Sequence, residues 1–545
     1  MLLSGRAFAL VFGAPLLGAL AAFAVPVAAA SGRPAATVAE GRVAGSLEDG
    51  VRVFKGLPYA LPPVGARRWR PPAPPASWQG VREAHAFGPD CVQPPYPADS
   101  VYFEPPRPTS EDCLTLNVWA PRNAARAPVI VWIHGGALQH GGSASPMYDG
   151  REYAKRGIVF VSINYRLGIF GWLAHPGLSA EAPDRVSGNY GLLDQIAALE
   201  WVKRNIAAFG GDPANVTAMG ESAGALSVTY LLAAPRAKGL FGRAIVQSTN
   251  MRAVPRLRDP AYGLPSAEVI GAAFAESVGA KDPAALRALD AETLTAAALR
   301  ARFAAQPTID GALLPAQIVD VFDRGEQIKV PVLAGFNSGE VRSQRGLLPP
   351  VPVDAAAYAA GAARRYGDLA PAFLRLYPAS DMEESLIAAT RDIVYGWAVE
   401  RLVRQQTAAG APSYLYLFDH CYDAARARKL CAFHASEIPF MFGSIGRAVV
   451  QAANWPAATG DDDRRLARQM VDYWSSFAAR GIPSAVGAPD WRPYGEEEYF
   501  LELGASPVLR RDPMPGMFEF REEIMRRQRQ RGEQWFVNTG PVDRE

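Results

Sequence analysis

Four cysteines and six histidines in 545 residues are few, and their scarcity restricts the chemistry open to the chain. The cysteines fall into two distant pairs without C-x-x-C spacing, which argues against a zinc site, and neither a metal nor a cofactor is expected. Net charge is also small. The 56 Lys and Arg stand against 54 Asp and Glu, so the basic field that a nucleic-acid partner requires is missing. No Ser/Gly linker, charge block or internal repeat divides the sequence, and beyond the N-terminal segment no apolar run is long enough to span a bilayer. These absences leave one large domain with insertions, over residues 31–545, as the expected organisation.

The long apolar run that does occur lies at the start. In "MLLSGRAFALVFGAPLLGALAAFAVPVAAASG", Arg6 precedes an apolar stretch ending in Ala28-Ala29-Ala30, which reads as a signal peptide over residues 1–30 and a secreted or periplasmic mature protein. Pro15, Gly18 and Pro26 oppose the alternative of a retained membrane anchor. In an oxidising compartment four cysteines permit three pairings, and proximity along the chain favours Cys91 with Cys113 and Cys421 with Cys431. The Pro-rich stretch of residues 56–80 carries Tyr59, Trp69 and Trp78, as expected of an ordered arm on a core. The C-terminal "FREEIMRRQRQRGEQ" reads as a charged, helical and solvated tail.

Apolar, β-branched or aromatic runs punctuate the rest: "VIVWI" (129–133), "IVFVSIN" (158–164), "VTAM" (216–219), "AIVQS" (244–248), "VPVLAGF" (330–336) and "YLYLF" (414–418). Unbroken apolar strands separated by helices are the pattern of a parallel sheet covered on both faces. Between the second and third runs, Leu192, Ile196, Leu199, Val202 and Ile206 follow helical spacing, and Gly210-Gly211 closes the pattern. The expected fold class is therefore α/β, with crossover helices.

The third run leads into "GESAG", residues 220–224. A glycine-x-serine-x-glycine match is common by chance in a chain with 50 glycines, so it needs context. Here a strand precedes it and the helical "ALSVTYLLAAP" follows, which is the setting of an exposed nucleophile, Ser222, on a sharp strand-to-helix turn. The first run leads into His134-Gly135-Gly136-Ala137, a turn whose backbone N–H groups can converge on one oxygen; His134 itself reads as structural. Among the six histidines, His434 in "CAFHASEIPFMFG" has the best setting for a base. Glu340, just past a strand end in "VPVLAGFNSGE", is a candidate for the orienting acid, with a solvated loop glutamate as the other reading. Arg342 and Arg345 follow it closely, so an anionic substrate and plain surface arginines both remain open.

These motifs, with "FKGLPYALPPVGARRWRPP", "FGPDC", "SEDCLTLNVWAP", "NYRLGIFGWL" and "GNYGLLDQIAALEWVKRNIAAFGGDPANVTAMGESAG", carry a resemblance. The chain is similar, over nearly all of its mature length, to the type-B carboxylesterase/lipase family of α/β-hydrolases, which includes the cholinesterases. The resemblance implies an α/β-hydrolase fold and Ser222, Glu340 and His434 as nucleophile, acid and base. It also implies an oxyanion hole from the N–H groups of Gly136, Ala137 and Ala223, and a disulfide between Cys91 and Cys113. The expected activity is hydrolysis of a small-molecule carboxylic ester through an acyl-enzyme. The alternative is a non-catalytic adhesion or binding module of the same fold. Three features depart from the family pattern: Ala137 and Leu138 stand where a third glycine and a bulky aromatic are usual, Thr249 stands where glycine is common, and Cys421 and Cys431 lack a cholinesterase counterpart.

Overall fold

The computed structural model describes residues 33–446 and 453–535; the expected signal peptide lies outside them. The described residues from Pro34 onward form one compact unit. Eleven strands build its central sheet: β1 (Ser46–Glu48), β2 (Val51–Pro58), β3 (Thr115–Ala120), β4 (Ala127–Ile133), β5 (Val159–Ile163), β6 (Gly211–Glu221), β7 (Arg243–Gln247), β8 (Val332–Asn337), β9 (Ser413–Phe418), β10 (Tyr499–Leu503) and β11 (Pro507–Arg511). Their spatial order is β11-β10-β9-β8-β7-β6-β4-β5-β3-β2-β1. Strands β4 to β10 run parallel, while β1 to β3 and β11 add antiparallel edges.

Strand β4 shows why the runs carry no polar alternation. Val129, Val131 and Ile133 pack into the core on one face, and Ile130 and Trp132 into a separate core on the other. Successive side chains point to opposite faces, so a strand covered on both sides must be apolar throughout. The first core is closed by helices α1 (Tyr190–Asn205), α2 (Ala223–Ala233) and α3 (Trp397–Ala408), and the second by α4 (Asp461–Arg480). The spaced residues Leu192, Ile196, Leu199 and Val202 of α1 are fully buried, and Gly210, at φ +82°, ends the crossover. The conformation is one that glycine adopts without a Cβ clash.

The Pro-rich arm is ordered: Tyr59 Oη donates to the Asn164 carbonyl (2.7 Å) and Trp69 Nε1 to that of Ile169 (2.9 Å). Both expected disulfides, Cys91–Cys113 and Cys421–Cys431, are formed. The C-terminal segment corrects the reading of a solvated tail. Helix α5 (Met517–Gln530) buries Met517, Phe520 and Met525, and the buried Arg521 donates to the Ala389 carbonyl (2.9 Å). Arg527 and Arg529 pair with Asp368 and with Asp320 and Asp323, all on distant segments. Dense charge had masked a narrow apolar stripe, and long arginine side chains bury their stems while their heads find carboxylates. No helix among the described residues is long and apolar enough to cross a membrane.

Candidate active site

Strand β6 ends at Glu221 and α2 begins at Ala223, leaving Ser222 alone at the bend with φ 55° and ψ −121°. The flanking glycines make the bend feasible. A Cβ on Gly220 would lie 2.3 Å from the Gly224 carbonyl carbon, and one on Gly224 would lie 1.9 Å from the Ile133 oxygen. Helix and strand can approach this closely only without those atoms. The Ser222 amide is held by the Gln247 carbonyl (2.8 Å), and its Oγ lies 2.8 Å from His434 Nε2.

The other ring nitrogen, Nδ1, faces Glu340 Oε2 at 2.5 Å. Glu340 is fully buried, which corrects the solvated-loop reading. Its Oε1 accepts from the Asn337 amide (2.9 Å) and from Ser248 Oγ (2.6 Å). Support of this carboxylate therefore comes from Ser248, whereas the departing residue Thr249 turns away to hydrogen-bond Thr229 (2.8 Å). The His434 amide donates to the Glu340 carbonyl (3.1 Å), and the Gly339 amide to that of Ala432 (3.0 Å), so the two loops are stitched together. Cys421–Cys431 closes the segment just before the histidine.

At the end of β4, Gly136, Ala137 and Leu138 all have left-handed φ, at 106°, 56° and 60°. The Gly136 carbonyl turns inward to accept from the His140 amide (2.8 Å), while the amides of Gly136 and Ala137 donate to nothing among the described residues. The Ala223 amide, first of its helix, likewise has no partner within the helix. Leu138 is buried in the core and does not line the cavity. His134 is structural, stacked on Tyr165 and pushed down to about pKa 4 by burial, against the pull of the Gly135 carbonyl.

Three groups at the site are not among the residues that the sequence singles out. Glu221 Oε1 lies 3.3 Å from His434 Nε2; burial raises this carboxyl to about 8, against the pull of His434. Glu437 is buried and accepts from Asn337 Nδ2 (2.6 Å) and Gln247 Nε2 (3.1 Å). Burial alone would lower the His434 pKa, but Glu221, Glu340 and Glu437 outweigh it and raise the imidazole to about 9. Tyr395 stacks on the ring at 5.1 Å between centroids, and it does so from a π-helical turn, Asp392–Gly396, that no sequence periodicity announces. Arg342 and Arg345, in contrast, pair with Glu384 and Glu383 and do not line the cavity.

The serine and the histidine open on a cavity of about 470 Å³ walled by Tyr96, Tyr102, Tyr148, Trp455 and several prolines. No group of three or more His, Cys, Asp or Glu among the described residues is arranged to hold a metal ion. The sequence matches the profile of the carboxylesterase family over residues 32–350 and 376–520. The chain belongs to the carboxylesterase family. Fumonisin B1 esterase of Sphingopyxis macrogoltabida is 38% identical over 505 residues, covering 89% of each chain. Para-nitrobenzyl esterase of Bacillus subtilis is 38% identical over 500 residues, 88% of this chain and 96% of that one. A solved thermophilic para-nitrobenzyl esterase superposes with a TM-score of 0.77 at 34% identity, covering 90% of this chain and 99% of its own. This carboxylesterase is accordingly a carboxylic ester hydrolase with the α/β-hydrolase fold.

Proposed function

We propose that this carboxylesterase is exported and hydrolyses small-molecule esters through an acyl-enzyme formed on Ser222, with His434 as base and Glu340 as orienting acid. The observation that carries the reading is the continuous chain from Ser222 Oγ through His434 to Glu340 Oε2, with steps of 2.8 and 2.5 Å, at the wall of the aromatic cavity. As Oγ attacks the carbonyl carbon, its proton passes to Nε2, and the imidazolium formed is held by Glu340 through Nδ1–H. The carbonyl oxygen becomes an oxyanion facing the amides of Gly136, Ala137 and Ala223, which cost no reorganisation because they are already unpaired. Collapse expels the alkoxide, protonated from Nε2, and leaves an acyl-serine; water, deprotonated by the same imidazole, then releases the carboxylic acid.

Export is supported by the two disulfides, which persist in oxidising compartments. Purified Ser222→Ala should lose activity on the order of 10⁶-fold while keeping its melting temperature. Intact mass after a slow aryl ester should show one acyl group on the wild type and none on the variant. Ordinary turnover by folded Ser222→Ala would overturn the assignment, and a secreted product retaining residues 1–30 would overturn the signal peptide.

A further inference from the structure

The cavity wall opposes an anionic substrate by its charge. Among the described residues its one arginine, Arg107, is already engaged by acids: Nε donates to Asp90 Oδ2 (2.8 Å) and Nη1 to Glu104 Oε2 (2.6 Å). Two carboxylates thus face one guanidinium, with a net charge of about −1 before Glu221 is considered. Ser145 Oγ donates to the other oxygen of Glu104 (2.5 Å), whereas Asp90 Oδ1 is buried with no hydrogen-bond donor among the described residues. His140 adds no compensating charge: it is stacked on Tyr96, and burial lowers its pKa. Much of the remaining wall is aromatic and prolyl, with Gln93, Thr109 and Gln344 as neutral polar residues.

The geometry points to a charge filter: the Asp90–Arg107–Glu104 cluster makes the cavity select esters that bring no negative charge and reject those with a free carboxylate. This rests on the esterase reading above and adds the substrate class to it. A carboxylate entering the cavity meets a guanidinium already paired with two carboxylates and a wall of net negative charge. A trimethylammonium group meets carboxylate and aromatic faces, both of which attract it.

The test compares three esters of one alcohol and matched acyl length: 4-nitrophenyl hexanoate, mono-4-nitrophenyl adipate and 4-nitrophenyl 6-(trimethylammonio)hexanoate, each corrected for its non-enzymatic rate. The neutral ester should exceed the adipate in kcat/KM by about tenfold or more, the discrimination expected of one uncompensated like charge in a partly buried site, and the cationic ester should at least match the neutral one. Glu104→Gln, which removes one of the two carboxylates that face Arg107, should raise the adipate-to-hexanoate ratio, and Arg107→Gln, which makes the wall more negative, should lower it. An adipate rate within twofold of the hexanoate, a cationic ester slower than the adipate, or a ratio that neither variant moves would overturn the filter. Should Glu104→Gln fail to fold, the wild-type series and Arg107→Gln decide alone. Failure to hydrolyse any of the three would refute the esterase reading itself, an outcome distinct from equal hydrolysis of all.

Discussion

Replacing Glu221 by Gln removes the negative charge that forms beside the proposed base as this buried carboxyl, raised to about 8, ionises, and nearly nothing else, since the side chain keeps its size. Glu221 Oε1 stands 3.3 Å from His434 Nε2, the same nitrogen that faces Ser222 Oγ at 2.8 Å. At that separation an ion pair is worth about 5 kcal/mol at an effective dielectric near 20, a ceiling of about 3 to 4 pKa units. Glu340 and Glu437 persist in the variant, so the observable fall should be about one to two units, from a starting point raised to about 9. The two groups titrate as a coupled pair, and the inflection read from kinetics belongs to both. The sign follows from the base's role: kcat/KM is lost as pH falls through the value at which the imidazole gains a proton. A lower value therefore moves the acid limb of Glu221→Gln toward lower pH, so that the variant keeps more of its own maximum near pH 6. The alkaline plateau should fall, because the same carboxylate stabilises the imidazolium formed when Ser222 gives up its proton. A pH profile of kcat/KM on a neutral aryl ester decides the matter. An acid limb that stays in place, or moves upward, would refute the reasoning.

Ala137 holds φ +56°, so Ala137→Gly should keep full turnover and a melting temperature at or above wild type, while Ala137→Pro should lose about 10² to 10³ in kcat by deleting an oxyanion donor; near-native kcat in folded Ala137→Pro would place the oxyanion elsewhere. Mild reduction of Cys421–Cys431, whose loop leads into His434 and touches the Glu340 loop through Ala432, should lower activity before the thermal transition shifts, and simultaneous loss of both signals would argue against the link. Gly224→Ala should cost at least about 3 kcal/mol, since its Cβ would lie 1.9 Å from the Ile133 oxygen; a melting temperature within a degree of wild type would contradict the tight strand-helix crossing.

The fold was legible because a parallel sheet covered on both faces writes its strands as continuous apolar runs, and α1 because Leu192, Ile196, Leu199 and Val202, all buried, keep helical spacing. Ser222 was legible for a local reason as well: strand, turn and helix are contiguous in sequence. Glu340 was not separable from a surface glutamate without the family resemblance, because what buries it is a loop 94 residues away that carries His434. Glu221 could have been suspected, as the neighbour of the proposed nucleophile at a buried strand end, but its reach to the imidazole depends on the strained bend at Ser222. Glu437 and Tyr395 depend on one short helical turn and one π-helical turn whose registers have no signature in a single sequence. Helix α5 was misread for the opposite reason, a surfeit of signal: its arginines dominate the composition, while the apolar residues that dock it are few.

Some of the backbone strain is placed where the proposed chemistry needs it, although left-handed φ also occurs at distant residues such as Asp49, Arg185 and Glu498. Ala137, Leu138, Ser222, Ser248 and Ala435 all hold left-handed φ, between 55° and 69°. Each such conformation costs an L-residue about 1 to 2 kcal/mol, so the five together cost about as much as the whole net stability of an ordinary domain. They follow the carboxyl ends of β4, β6 and β7 or adjoin His434, and each reverses the direction in which the chain would otherwise aim its groups. At Ser222 the reversal lifts Oγ to the imidazole; at Ser248 it accompanies the turn that brings Oγ to Glu340, 2.6 Å away. At Ala137 it accompanies the turn in which the amides of Gly136 and Ala137 stay unpaired among the described residues. Relaxing any of them to right-handed φ would rotate a donor or a side chain out of the site, so the strain and the proposed function share the same bond rotations. A glycine at position 137 would obtain the rotation without a Cβ penalty but with greater loss of backbone freedom on folding. Here alanine carries the cost in the folded state, where the sheet behind it, buried on both faces, holds the turn in place.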